Sequence, residues 1–271
     1  MDRRSFLIGT AAFAACRAER PLGTEPIRPE LAPVQRTIVA GRGAVDGDRA
    51  QVHRLFPSFG GDHHDPFVLL DEFRVAEPAG FPMHPHRGFE AFTYMLDGAF
   101  HHQDTMGNDS VVRTGGTQRF TSGRGARHSE MPRDGGGHGL QLWVNLPPEK
   151  KRIAPTYGAV SGADIPETGR RGVIVRTVVG PTSPVELQTP MSYEDVRLET
   201  GAEYGKVVPA DHAGFAYVIE GEARIGDQRV TAGSAALLAR GDVAVRGPTR
   251  VAIVHGKQHG APIRQRGPYV D

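Results

Sequence analysis

Apolar residues along this chain come in short runs, and glycines stand between the runs. The clearest runs are Phe67–Phe73, Phe89–Leu96, Gly139–Leu146, Gly172–Val179, Phe215–Ile219 and Thr249–His255. They are rich in Val, Ile, Phe and Tyr, whose branched or flat side chains suit a pleated surface. No long stretch spaces its apolar residues at i, i+3, i+4, i+7, as an amphipathic helix would. Asp97-Gly98 and Gly226-Asp227 are hairpin signals, because glycine adopts the positive φ that tight turns need. The pattern predicts an all-β protein.

The runs also repeat. Phe92-Thr-Tyr94-Met-Leu-Asp-Gly98 matches Phe215-Ala-Tyr217-Val-Ile-Glu-Gly221, and Val112-Arg-Thr-Gly-Gly116 loosely matches Val230-Thr-Ala-Gly-Ser234. Equal placement of such matches in two halves is the mark of a duplication. Two β-sandwich or barrel halves are expected, joined near residues 150–170, where the chain is polar and rich in turns.

Composition narrows the classes. The 271 residues carry 35 glycines and 21 prolines with no collagen-like period, which agrees with many turns between strands. Lys+Arg is 32 against 31 for Asp+Glu, so the basic excess that nucleic-acid binding by charge requires is missing, and no such partner is expected. A single cysteine excludes an intrachain disulfide framework and any Cys-only zinc site. Residues 1–16 read as an export signal. Arg3 and Arg4 precede a ten-residue apolar stretch, Phe6 to Ala15, too short to span a bilayer. Arg-Arg-Ser-Phe-Leu resembles a twin-arginine signal. Phe13-Ala14-Ala15-Cys16 resembles a lipobox with Phe where Leu is usual, which makes Cys16 a candidate lipid anchor. The polar, Pro-rich residues 17–34 suit a tether. The expectation is an exported protein, periplasmic or membrane-anchored; a signal that does not function leaves the chain cytoplasmic.

Twelve histidines supply the candidate chemistry. His84-Pro85-His86 places two imidazoles on one side of an extended segment, since side chains alternate across a strand. His128-Ser129-Glu130 repeats the spacing with a carboxylate. On adjacent strands facing one interior, the two pairs can converge on a single divalent transition metal; Fe(II) suits such a set, and Cu, Ni, Mn or Zn can also occupy it. Glu90 would share the parity of His84 and His86 if Phe81–Glu90 were one strand, as a ligand or as a carboxylate orienting one. The adjacent pairs His63-His64 and His101-His102 face opposite ways in a strand and read as surface or pocket residues. Eight residues before Phe215 stands Val207, where His84 stands before Phe92, and His86 maps to Pro209. The second half therefore lacks the first ligand pair, with His212 a loose substitute.

Four ordered blocks then carry a resemblance. Asp65-Pro-Phe-Val-Leu-Leu-Asp-Glu-Phe73, Gly80-Phe-Pro-Met-His-Pro-His-Arg-Gly-Phe-Glu-Ala-Phe-Thr-Tyr94, Ser122-Gly-Arg-Gly-Ala-Arg-His-Ser-Glu-Met-Pro132 and His138-Gly-Leu-Gln-Leu-Trp-Val-Asn-Leu146 closely resemble the pirin family. The similarity runs from about residue 36 to the end. It implies a bicupin, two jelly-roll-type β-barrels face to face: a metal-binding cupin over residues 35–155 and a C-terminal cupin without metal ligands over 156–271. It implies one mononuclear iron, with the family's ligands falling on His84, His86, His128 and Glu130, and Glu90 outside that set. Pirins are mostly described as cytoplasmic or nuclear, in contrast to the export signal read here. Family members commonly continue past the Gly-Pro-Tyr-like segment, so contacts made by such an extension are not expected.

Some pirins resemble and act as quercetin 2,3-dioxygenases. A mononuclear Fe(II) dioxygenase taking O2 and quercetin-like flavonols, or related enediol and catechol compounds, is the expected function, with Glu130 as catalytic base. A non-catalytic metal-dependent binding or redox-sensing module of the cell envelope is the alternative. Arg87, beside the ligands, either steers an anionic substrate or lies exposed without a role. No zinc-protease helix or P-loop competes, and Gly123-Arg-Gly125-Ala-Arg-His128 has His where a dinucleotide loop needs its third glycine.

Overall fold

The computed structural model describes residues 36–57 and 61–271. The expected signal, the tether and Cys16 lie outside the described residues, and so does any reading of export or lipidation. Among the described residues there are strands and two short 3-10 turns, and no α-helix. Two large antiparallel sheets form, one of nine strands and one of ten, with a small two-stranded ribbon near the C-terminus. The fold is the expected bicupin. The sheets exchange edge strands: Ile38–Ala40 pairs with Ser234–Leu238 in the second sheet, and Thr156–Val160 pairs with Thr117–Thr121 in the first.

The duplication seen in the sequence is a structural equivalence. Tyr94 on strand Phe89–Asp104 lies opposite Leu140, and Leu140 lies opposite Glu72. In the second sheet Tyr217 lies opposite Ala252, and Ala252 opposite Asp195. Each tyrosine reaches across to the carboxylate of the other barrel. Tyr94 Oη donates to Asp195 Oδ2 at 2.8 Å, and Tyr217 Oη donates to Glu72 Oε2 at 2.7 Å. Arg250 donates to both oxygens of Asp195 at 3.0 and 2.8 Å, and His138 sits 2.7 Å from Glu72 Oε1. Around these bonds lies the shared apolar core, with Phe92, Leu142, Tyr193, Phe215 and Val254 all buried.

Gly226-Asp227 forms the expected two-residue hairpin between Ile225 and Gln228. Asp97-Gly98 does not. It lies inside the long strand Phe89–Asp104, where the register shifts between Met95 and Asp97. Gly98 has φ +73°, and a Cβ there would come within 2.2 Å of Gly136 O. Glycine permits a bulge at this point, not a turn, and Gly221 at φ +76° follows the equivalent shift between Val218 and Glu220.

The barrel interiors differ in chemistry. The second is filled by one apolar cluster that includes Val196, Ala216, Val218, Ala236 and Ile253. In the first, two apolar clusters, around Phe73 and Phe100 and around Phe89 and Phe120, leave room for polar residues. Thr93 pairs with Gln118 and Gln141; at the equivalent register Ala216 pairs with Ala236 and Ile253. Three polar side chains in one barrel thus stand where the other has three apolar ones.

Tyr217→Phe removes a bond to a largely buried carboxylate and is expected to cost about 1.5–3 kcal/mol. The check is a lowered urea midpoint at unchanged slope.

Candidate metal centre

Strand Phe81–His86 runs antiparallel to strand Ala126–Asn145, and His84 stands directly opposite His128. A register shift between Phe81 and His84 places Phe81 opposite Glu130. His86 follows two residues after His84 on the same side. The two spaced pairs read from the sequence are therefore neighbours across one ladder.

The three imidazoles converge. His84 Nε2 lies 2.9 Å from His86 Nε2 and 3.1 Å from His128 Nε2. Nitrogens each about 2.1 Å from one ion, at right angles to one another, would stand about 3 Å apart. The far side of two rings is tied down. His84 Nδ1 lies 2.8 Å from Pro82 O, and His86 Nδ1 lies 3.4 Å from Pro268 O. A carbonyl only accepts, so Nδ1 carries the hydrogen and Nε2 offers its lone pair inward. His128 is held by packing: Phe120 stacks on it at 4.3 Å between ring centres, and its buried Nδ1 has no hydrogen-bond partner among the described residues. Burial lowers the affinity of all three rings for a proton, His86 down to about 3 with His84 adding to the effect. They are neutral near pH 7, the form that binds a metal. The residues fit a divalent transition metal.

Glu130 is buried beside them. Its Oε2 lies 3.9 Å from His128 Nε2. Thr93 Oγ1 donates to Oε1 at 3.0 Å, Gln118 Nε2 donates to the same oxygen, and Gln141 Nε2 donates to Oε2 at 3.0 Å. Burial raises the carboxyl to about 7 against the pull of these three donors. The tight cluster among the described residues is His84, His86 and His128, with Glu130 adjoining it.

The other candidate residues stand outside this cluster. Glu90 is not on the ligand strand, because that strand stops at His86 and Gly88, at φ +86°, turns the chain before Phe89. The Glu90 oxygens accept instead from Thr121 Oγ1 at 2.8 Å and Gln188 N at 2.7 Å. Arg87 is turned from the cavity toward the C-terminus, bonding Asp271 at 3.1 Å with its guanidinium 4.8 Å from the Tyr269 ring centre. His102 is fully buried, not at the surface, bonded to Asp104 at 3.1 Å and stacked on Tyr157. His212 meets His255 in the second barrel, their Nδ1 atoms 2.9 Å apart.

A cavity of about 540 Å³ opens onto His84, His86 and Glu130. Phe73, Phe81, Phe100 and Trp143 give it apolar walls, and Asp46, Arg54 and Asp71 a polar one. Arg54 donates to Asp71 at 2.8 and 2.6 Å and to Asp46 at 2.6 Å. Sequence reasoning missed this triad and the residues holding Glu130. The available signal was polar residues inside apolar runs: Asp71 in Phe67–Phe73 and Gln141 in Gly139–Leu146.

Comparison with known proteins agrees with this geometry. The Pirin family profile matches residues 49–144, and the Pirin C-terminal cupin domain matches residues 193–271. A pirin-like protein of Solanum lycopersicum is 40% identical over 245 residues, covering 86% of this chain and 84% of the relative. Pirin of Homo sapiens is 36% identical over 247 residues, covering 86% and 85%. The chain belongs to the pirin family. A crystal structure of quercetin 2,3-dioxygenase from Acinetobacter baumannii superposes with a TM-score of 0.79 at 28% identity, covering 86% of this pirin and 90% of that chain. The family-matched N-terminal segment holds all three converging histidines and Glu130.

His86→Ala is expected to lower the metal retained through gel filtration by more than about tenfold. Elemental analysis of the purified protein checks it, with an unchanged far-UV spectrum as the control for folding.

Proposed function

We propose that this pirin is a metal-dependent dioxygenase that opens quercetin-like flavonols or related enediol and catechol compounds with O2, using Fe(II). The observation that carries the reading is the cavity: an aromatic-walled space that opens onto His84, His86 and Glu130, with His128 completing the imidazole cluster beside it. A flat phenolic ring system suits walls made of Phe73, Phe81, Phe100 and Trp143. The similarity to quercetin 2,3-dioxygenase over most of both chains supports it. When bound, the metal supplies Lewis acidity and a template that orients the substrate hydroxyl and O2.

The chain's own residues then have separable tasks. Pro82 and Pro268 carbonyls hold His84 and His86 in the tautomer that presents Nε2. The apolar walls exclude water and orient the ring. Glu130 Oε2 takes the substrate's hydroxyl proton. Oε1 already accepts from Thr93 and Gln118, whereas Oε2 accepts only from Gln141 and lies nearest His128. A carboxylate so placed serves as general base, worth roughly 10²–10⁴ in rate.

Protein reconstituted anaerobically with Fe(II) is expected to consume O2 when given quercetin. His84→Ala abolishes uptake, and Glu130→Gln lowers it at least about a hundredfold with metal still bound. Metal-loaded protein that consumes no O2 with any flavonol or catechol, yet binds a protein partner tightly, would overturn the enzyme reading in favour of a binding module. Full turnover by Glu130→Gln would remove Glu130 from the base role alone.

A further inference from the structure

The C-terminal segment lies on the metal centre. Gln265–Arg266 and Tyr269–Val270 form a two-stranded ribbon, closed by mutual bonds between Arg264 and Asp271. Gln265, Gly267 and Pro268 line the cavity. Pro268 O accepts from Arg87 N and faces His86 Nδ1, both at 3.4 Å. Val270 N donates to Arg87 O at 3.0 Å, so the ribbon pairs with the residue that follows the second ligand. Val270 is fully buried against the cluster of Phe89 and Phe120.

One side chain ties this arrangement together. Lys151 Nζ donates to Gly88 O at 2.9 Å, to Val270 O at 3.0 Å and to Asn145 Oδ1. The three acceptors belong to the turn after the ligand strand, the C-terminal ribbon and the end of strand Ala126–Asn145, which carries His128 and Glu130. An ammonium has three donors and no acceptor, so this site uses all of them. Gly88 is what lets the ribbon approach: a Cβ there would lie 1.9 Å from Val270 O. The ribbon is fastened at three further points, by the Arg87–Asp271 ion pair, by Arg87 over Tyr269 and by the Val270 side chain.

We propose that residues 264–271 are a strap that completes the metal centre, with Lys151 the positioning residue that pins it and the Pro268 carbonyl the group that orients His86. The inference rests on the metal reading of the histidine cluster. It extends that reading in giving the C-terminus of the second cupin's chain a part in the first cupin's site. By linkage, a strap that favours the bound geometry of His86 is itself tightened when the metal binds. Groups that orient a ligand imidazole typically change metal affinity ten- to a hundredfold when lost.

The test uses full-length protein and Co(II), whose visible bands report ligand geometry. Co(II) affinity is measured by chelator competition, and amide hydrogen exchange is followed over residues 265–271. Wild type is expected to bind Co(II) and to exchange more slowly over the strap once loaded. Lys151→Met is expected to exchange faster there, to bind Co(II) at least about tenfold more weakly and to show shifted Co(II) bands. Val270→Ala, a milder loosening, carries the same test should Lys151→Met not fold. A faster-exchanging strap with unchanged affinity and bands overturns the proposal. So does unchanged exchange in the variants, which denies Lys151 its holding role. Wild-type protein that takes up no Co(II) overturns the metal reading itself, and the strap's role with it.

Discussion

A carboxylate buried inside a β-barrel with only neutral donors on its oxygens is costly, and the first barrel is built around that cost. Glu130 receives Thr93, Gln118 and Gln141, and the three imidazoles beside it are neutral. Burial raises the Glu130 carboxyl to about 7, so its negative charge is held only at a cost in this desolvated place. A divalent cation held by the three Nε2 atoms would offset that charge. The polar seam also divides the barrel's apolar interior into two clusters and leaves the cavity between its walls and the histidines.

The second barrel shows the same backbone without that cost. Ala216, Ala236 and Ile253 occupy the register of Thr93, Gln118 and Gln141, and its interior closes into one cluster. The fold tolerates either filling because register and kinks, not interior chemistry, define the ladders. The two barrels are held by reciprocal bonds, Tyr94 to Asp195 and Tyr217 to Glu72, which keep each buried carboxylate satisfied from the opposite side. The edge strands they exchange, and the C-terminal ribbon laid against His86, make the site a product of both halves.

Much of this was legible beforehand. Alternation and glycine punctuation announced strands, because side-chain direction in a strand has a period of two. The Phe-x-Tyr repeat announced two barrels, and its tyrosines turn out to be the equivalent bonds between them. The i, i+2 spacing announced His84 with His86 and His128 with Glu130. Asp97-Gly98 misled, since a glycine with positive φ serves a bulge as readily as a turn. For Glu90 parity alone left the role open: parity counts only while the strand continues, and Gly88 ends it, in agreement with its place outside the ligand set.

What the sequence by itself determined was the local alphabet: strand runs, the duplication, and which imidazoles could share a side. Those depend on residues near one another in the chain. Only the tertiary structure decided that Glu90 stands off the ligand strand, that Arg87 turns to Asp271 and away from the cavity, and that Lys151 reaches the turn after that strand from 63 residues away and Pro268 reaches His86 from 182. Contacts at such separations follow from register, bulges and the meeting of two sheets, and no periodicity along the chain encodes them.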